Sequence, residues 1–252
     1  MKNSYWLELA LIIISCLLAL QLFGPTVAKW WKSPAPDHIG TAYLDDDFWG
    51  TCFSHAYLVR LPASYHQRKD WPLVIYLHGS GRRGINLELL RPFAQNVIMS
   101  RDAAKQAVVL APQCRPDHRW RPNDVGRFLT CVSREYEIDP SRVYLIGASM
   151  GGYGTWAAAA HPSMLAAIVP IAGGGDNGTA AALAKVPTWA FHGQQDKVVP
   201  PEQSTDLIQA IRDAGGDPKI TLYPEGGHGV YYQALQEDEL WDWLFQQSLK
   251  HR

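Results

Sequence analysis

Alternation of short apolar runs with helical stretches is the feature that most constrains how this chain can fold. Several of the runs, such as Ala167–Ile171 (AIVPI), are almost wholly apolar, as expected for strands covered on both faces. The predicted strands are His55–Leu61, Leu73–Leu77, Ala107–Ala111, Val143–Ile146, Ala167–Ile171, Thr188–Phe191 and Lys219–Leu222. The predicted helices are Asn86–Ser100, Asn123–Glu137, Gly151–Ala160, Glu202–Ala214 and Gln233–Ser248. This order predicts an α/β fold with a mostly parallel sheet and helices on both faces.

The N-terminal residues differ in composition from this pattern. Residues 7–23 are almost continuously apolar, and Thr26 and Ala28 supply the small residues of a cleavage site. Three interpretations stay open: a cleaved signal peptide, a membrane anchor through residues 7–23, and a lipoprotein with a lipobox ending at Cys16. We therefore divide the chain into residues 1–28 (signal peptide or anchor), 29–54 (linker and lead-in) and 55–252 (one catalytic domain). All three interpretations place that domain outside the cytoplasm, in the periplasm, at the membrane or in the medium.

Location also affects how the cysteines are interpreted. In an oxidising compartment, one disulfide could form among Cys52, Cys114 and Cys131. The sequence does not fix the pair. A bond between Cys114 and Cys131 is one hypothesis, and buried thiols are the other.

A strand followed by Gly-Ala-Ser-Met-Gly and then a helix indicates a nucleophile at Ser149. A serine on a sharp strand-to-helix turn projects its hydroxyl away from the backbone, and Gly147 and Gly151 are small enough for the turn to close. The N-terminus of the following helix favours negative charge at the same place. The motif and its context together predict a nucleophilic serine.

A nucleophilic serine requires a base and a carboxylate that orients the base. On a parallel sheet these follow the serine in the order acid, then histidine. Asp196 and His228 each follow a predicted strand, so both should reach the edge of the sheet where functional loops gather. Asp176, in the sequence GGGDNG, is the alternative acid.

The oxyanion of an acyl-transfer reaction needs two backbone N–H donors. We expect one from Met150, directly after the nucleophile, and the other from Ser80 in the loop HGSG, with Gly79 or Gly81 as alternatives. His78 in that loop is expected to be structural. The candidate substrate-binding aromatic residues are Trp120, Tyr153 and Tyr231.

These motifs, HGSG, GASMGG, HGQQD and GGHG in this order, resemble the α/β-hydrolase superfamily over residues 55–248. Within it the sequence is similar to extracellular esterases of prolyl-oligopeptidase-like, dienelactone-hydrolase-like and polyhydroxybutyrate-depolymerase-like type. The resemblance implies an ester or peptide-like acyl substrate, small or polymeric, a covalent acyl-enzyme and no cofactor. The predicted function is a serine carboxylesterase; a serine peptidase or an acyltransferase with the same triad are the alternatives.

Charge and ligand spacing argue against other functions. The chain has 24 acidic and 23 basic residues, so its net charge gives no electrostatic basis for binding nucleic acid. No cysteine or histidine cluster has the spacing of a metal site, and no P-loop is present. We therefore expect neither a metal nor a nucleic-acid partner, and the sequence leaves the oligomeric state open.

Overall fold

An eight-stranded sheet forms the centre of the structure. The computed structural model describes residues 38–44, 50–160 and 165–251. The strands are β1 (Ile39–Tyr43), β2 (Phe53–Arg60), β3 (Trp71–Leu77), β4 (Val108–Cys114), β5 (Ile138–Ala148), β6 (Ala167–Ile171), β7 (Trp189–Gly193) and β8 (Lys219–Tyr223). Their order across the sheet is β1-β2-β4-β3-β5-β6-β7-β8. Strands β3 to β8 run parallel, whereas the β1–β2 and β2–β4 pairs are antiparallel. The predicted mostly parallel sheet is confirmed.

Helices cover both faces of this sheet. They are α1 (Arg91–Ala94), α2 (Pro122–Glu135), α3 (Met150–Ala159), α4 (Ala180–Leu183), α5 (Glu202–Asp213), α6 (Tyr231–Ala234) and α7 (Asp238–Gln246). Side chains of β3 alternate between two cores, with Leu73, Ile75 and Leu77 in one and Val74 and Tyr76 in the other. The first core contains residues of α2, α3 and α5, and the second contains residues of α1 and α7. The predicted helices on both faces are therefore confirmed.

Two predicted helices are interrupted in the structure. The stretch predicted as Asn86–Ser100 is a 3-10 turn at Leu87–Leu89, then α1, then a π-helical turn at Gln95–Met99. Pro92 lies in the first turn of α1, where its missing N–H costs no helical hydrogen bond, so a new helix begins there. The stretch predicted as Gln233–Ser248 divides into α6 and α7, with residues 235–237 between them.

The N-terminal predictions fall largely outside the described residues. Residues 1–28 are not described, so their role as signal peptide or anchor, and the location of the domain outside the cytoplasm, stay predictions. Strand β1 lies in the segment 29–54 that was predicted as a lead-in, and it joins the sheet. In the described part of the chain, no helix has both the length and the apolar character needed to cross a membrane.

The arrangement of the cysteines differs from the pairing suggested by the sequence. Cys52 and Cys114 are buried thiols that form a hydrogen bond with each other, and Cys131 is half-buried. That hydrogen bond, together with burial, raises the pKa of the Cys52 thiol well above its usual range. The hypothesis of a Cys114–Cys131 disulfide is wrong, because both residues are thiols in the structure and form no bond with each other. The pairing of β2 with β4 sets Phe53 opposite Cys114 and so brings the preceding residue, Cys52, close to it.

Candidate active site

Ser149 lies on the turn between β5 and α3 in a strained backbone conformation. Its φ of 55° and ψ of −117° are unusual for a residue with a side chain, at a cost of about 1–3 kcal/mol. Its N–H donates to the carbonyl oxygen of Ile171 on β6 at 2.8 Å, which ties the turn to the neighbouring strand. A Cβ on Gly147 would overlap the carbonyl oxygen of Gly151, and a Cβ on Gly151 would overlap that of Leu77. The two glycines therefore allow the backbone to pack closely around the serine.

The loops after β7 and β8 bring Asp196 and His228 to this serine. The His228 Nε2 atom lies 2.8 Å from Ser149 Oγ, and His228 Nδ1 lies 2.7 Å from Asp196 Oδ2. The three residues thus form one continuous hydrogen-bonded chain. In this chain the carboxylate accepts the Nδ1 proton, which leaves Nε2 able to accept the hydroxyl proton of Ser149.

The Asp196 side chain is fully buried, yet it stays ionised. Burial alone would raise the pKa of this carboxyl, but hydrogen bonds more than offset that effect, so its pKa lies below its usual range. The Oδ1 atom accepts from the backbone N–H groups of Val199 at 2.9 Å and Val198 at 2.8 Å. These two bonds fix the carboxylate and leave Oδ2 directed at His228.

A second imidazole, the buried side chain of His192, lies close to the same carboxylate. His192 Nε2 lies 3.4 Å from Asp196 Oδ2 and 3.0 Å from the carbonyl oxygen of Val199. Its Nδ1 lies 2.7 Å from Ser204 Oγ, which in turn donates to the carbonyl oxygen of Gly173 at 2.7 Å. These supports were not predicted from the sequence. Four-residue spacing in HGQQD is the one signal that could have linked His192 to Asp196.

The alternative acid, Asp176, is not brought to His228. It is exposed, and its Oδ1 accepts from the N–H of Gly178 at 2.8 Å, which caps a 3-10 turn. The structure therefore gathers Asp196, and not Asp176, with the serine and the histidine.

The two residues expected to supply the oxyanion donors each begin a helical turn. Met150 is the first residue of α3 and Ser80 the first of a 3-10 turn at Ser80–Arg82, so neither N–H has a partner within its own helical turn. Ser80, Met150 and Ser149 line the same cavity. Gly79 packs against Ser149, since a Cβ on it would lie 3.3 Å from the Ser149 Cβ.

His78 anchors the loop that carries Ser80. It is fully buried; its Nε2 accepts from the N–H of Cys114 at 2.9 Å, and its Nδ1 donates to the carbonyl oxygen of Gly79 at 2.7 Å. Desolvation lowers the pKa of His78 to about 4. The imidazole is therefore neutral at pH 7, in accordance with the structural role expected from the sequence.

This burial predicts an acid-sensitive fold. The unfolded chain protonates His78 below about pH 6.5, whereas the folded chain does so only near pH 4. As the pH falls across this window, the free energy of unfolding therefore decreases, by about 3 kcal/mol in total. We expect urea unfolding between pH 7 and 4 to show this loss for the native protein and a smaller one for His78→Gln. The exposed His66→Gln is the control and should keep the native slope; a native slope in His78→Gln would contradict the prediction.

Two of the three candidate substrate-binding aromatic residues line the cavity beside Ser149. The cavity has a volume of about 530 Å³, with Trp120 and Tyr153 in its wall. Trp120 is buried and donates from Nε1 to the carbonyl oxygen of His78 at 2.9 Å, while Tyr153 is 39% exposed. Tyr231 is not among the lining residues; its ring packs against Tyr232 and Phe93. In the described part of the chain, no group of three or more His, Cys, Asp or Glu residues is arranged to hold a metal ion.

Comparison with known proteins gives esterases, together with peptidases that share the fold at 15–16% identity. The chain is 34% identical over 138 residues to a bifunctional acetylxylan esterase/xylanase of Neocallimastix patriciarum; this covers 48% of the chain and 20% of that protein. The structure superposes on a thermostable esterase with a TM-score of 0.76 and 30% identity, covering 85% of this chain and 64% of that one. A ferulic acid esterase at 19% identity, with a TM-score of 0.66 and coverage of 84% and 99%, shares the fold.

The chain therefore spans less than two thirds of the length of the esterases that it matches at 30% identity or more. Residues 101–239, more than half of the chain, match the dienelactone hydrolase family. This matched stretch contains Ser149, Asp196 and His228. The chain belongs to the dienelactone hydrolase family.

Proposed function

We propose that the protein is a serine carboxylesterase that works through a covalent acyl-enzyme. The observation that carries this proposal is the hydrogen-bonded chain from Ser149 Oγ through His228 to Asp196, with contacts of 2.8 and 2.7 Å. A hydroxyl, an imidazole and a buried carboxylate in this order form the arrangement that activates a serine.

Acylation follows from the positions of these groups. His228 Nε2 takes the hydroxyl proton while Ser149 Oγ bonds to the ester carbonyl carbon. The resulting oxyanion accepts from the N–H groups of Met150 and Ser80, and Asp196 stabilises the imidazolium. When the tetrahedral intermediate collapses, the carbon–oxygen bond of the ester breaks, and the departing alkoxide takes the proton from Nε2. The alcohol leaves, and the acyl group stays on Ser149.

Deacylation repeats these steps with water. His228 removes a proton from the water as its oxygen attacks the acyl carbon, and the same two amides hold the oxyanion. Collapse then returns the proton to Ser149 Oγ and releases the carboxylic acid. Both halves of the reaction use one base and one pair of donors, so no cofactor is required.

The relatives support an ester over a peptide substrate. The proteins at 30% identity or above are esterases by name. The names of two relatives mention acetylxylan and ferulic acid esters, so both small and polymeric esters are included in the proposal.

Competition between substrates tests the proposal. We expect the full chain to hydrolyse 4-nitrophenyl esters at least 100-fold faster than peptide 4-nitroanilides of similar size. Added methanol should divert only a minor share of the acyl group into methyl ester. Intact-mass measurement should detect one acyl group on the enzyme during turnover. Faster anilide cleavage would instead assign a peptidase, and mostly methyl ester in dilute methanol an acyltransferase.

A further inference from the structure

Cys52 and Cys114 lie next to each other across the paired strands β2 and β4. The antiparallel register sets Phe53 opposite Cys114, and the N–H of Arg115 donates to the carbonyl oxygen of Cys52 at 2.9 Å. Cys52 is therefore a diagonal neighbour of Cys114, and strand geometry puts their Cα atoms about 6 Å apart. Disulfides join cysteines whose Cα atoms are about 4.4–6.8 Å apart, so the backbone already has a suitable spacing.

The two side chains also point into the same space. Both are fully buried in the same core, and their thiols are in hydrogen-bond contact. Diagonal neighbours on regular strands would point to opposite faces of the sheet. The register shift between Phe53 and Tyr57 makes the pairing of β2 with β4 irregular at this end, which agrees with the shared core. A small rotation of the side chains would bring the two sulfur atoms to bonding distance.

The backbone on either side of this pair supports neighbouring elements. The N–H of Cys52 donates to Asp124 Oδ2 on α2 at 2.7 Å. The N–H of Cys114 donates to Nε2 of His78, the residue that anchors the loop carrying Ser80. A bond between the two sulfur atoms would therefore join the start of β2, which contacts α2, to the end of β4, which holds that loop.

We propose that Cys52 and Cys114 form a disulfide that stabilises the domain, introduced by a disulfide oxidant of the glutathione or thiol-oxidoreductase class. One cysteine thiolate attacks a sulfur of the oxidant, breaks its S–S bond and releases one thiol of the oxidant. The second cysteine thiolate then attacks the mixed disulfide and releases the other thiol. Two cysteine thiols are oxidised to one disulfide, and their two protons end on the two thiols of the reduced oxidant.

The environment of the pair sets the time at which this exchange takes place. In the folded protein, the contact with Cys114 and burial raise the pKa of the Cys52 thiol, which makes it a poor nucleophile. The bond therefore forms while the chain folds or opens locally, when the thiols are accessible. The predicted export of the chain would bring it to a compartment with such oxidants. Once formed, the buried bond is shielded from reductants.

Peptide mapping tests the pairing. The full chain is refolded from urea with a mixture of reduced and oxidised glutathione, remaining thiols are blocked with N-ethylmaleimide, and the protein is digested without reduction. We expect mass spectrometry to find one linked pair of peptides, joined through Cys52 and Cys114. Cys131→Ala, the matched control on α2, should retain this link, and Cys114→Ala should lose it. A link through Cys131 or Cys16 in the native protein, or no link, would overturn the proposal.

Thermal unfolding tests the stabilisation. The bond would close a loop of about 60 residues, so the oxidised protein should melt about 10 °C above the same protein refolded with a reductant. The double variant Cys52→Ala/Cys114→Ala should melt at one temperature under both conditions, and Cys131→Ala should keep the native difference. Equal melting temperatures of the oxidised and reduced native protein would contradict the stabilising role. Neither measurement involves ester hydrolysis, so the outcome is separate from that of the proposed function.

Discussion

Replacement of Ser149 by alanine is expected to lower kcat/KM on 4-nitrophenyl esters by about five to six orders of magnitude. The variant lacks the only hydroxyl that touches His228 Nε2 among the described residues, so no acyl-enzyme can form. The turn itself should survive, because the close approach around it depends on Gly147 and Gly151 rather than on the serine side chain. The remaining rate would come from water attack on an ester held by the backbone donors.

A fluorophosphonate probe provides an independent measurement of the same residue. The probe should label the native protein once and fail to label Ser149→Ala. Ser133→Ala is the control, because Ser133 lies on α2 and donates only to the carbonyl oxygen of Leu129. It should label like the native protein. If Ser149→Ala still carried the label, the nucleophile would be another residue and the proposed mechanism would be wrong.

Strands that are buried on both faces could be predicted from the sequence, whereas the edge strand β1 was missed. Strands β3, β4, β6 and β7 are buried along their whole length, so their apolar runs stand out in the sequence. Strand β1, with the sequence IGTAY, lies at the edge of the sheet, and most of its residues are only half-buried. An edge strand next to solvent needs no continuous apolar run, and its place in the sheet depends on pairing with β2, which local sequence does not encode.

Some residues of the candidate site could be predicted from the sequence, and others could not. Ser149, Asp196 and His228 were predicted because each directly follows a strand, and the ends of parallel strands gather at one edge of the sheet. The support of Asp196 by His192 was not predicted. This contact depends on how side chains pack after the sheet has formed. The contact between Cys52 and Cys114 belongs to the same class.

The second large effect is expected at the acid. Asp196→Asn should lower kcat on 4-nitrophenyl esters near neutral pH by about 10⁴. An asparagine can keep both bonds that Oδ1 accepts from the N–H groups of Val198 and Val199. Its NH₂ group then replaces Oδ2 and donates to His228 Nδ1. Nε2 must in that case carry the ring proton, so it cannot accept the proton of Ser149.

Asp176→Asn provides the matched comparison. This substitution also changes a carboxylate to an amide near the cleft, and the new side chain can still accept from the Gly178 N–H. Because Asp176 does not reach His228, kcat on 4-nitrophenyl esters should fall far less in this variant than in Asp196→Asn. A larger loss at Asp176 would make it the orienting acid and would require the loop after β6 to close over His228. The structure opposes this closure, because the Ser149 N–H donates to the carbonyl oxygen of Ile171 at the end of β6. In addition, Asp196 already occupies the Nδ1 side of the imidazole.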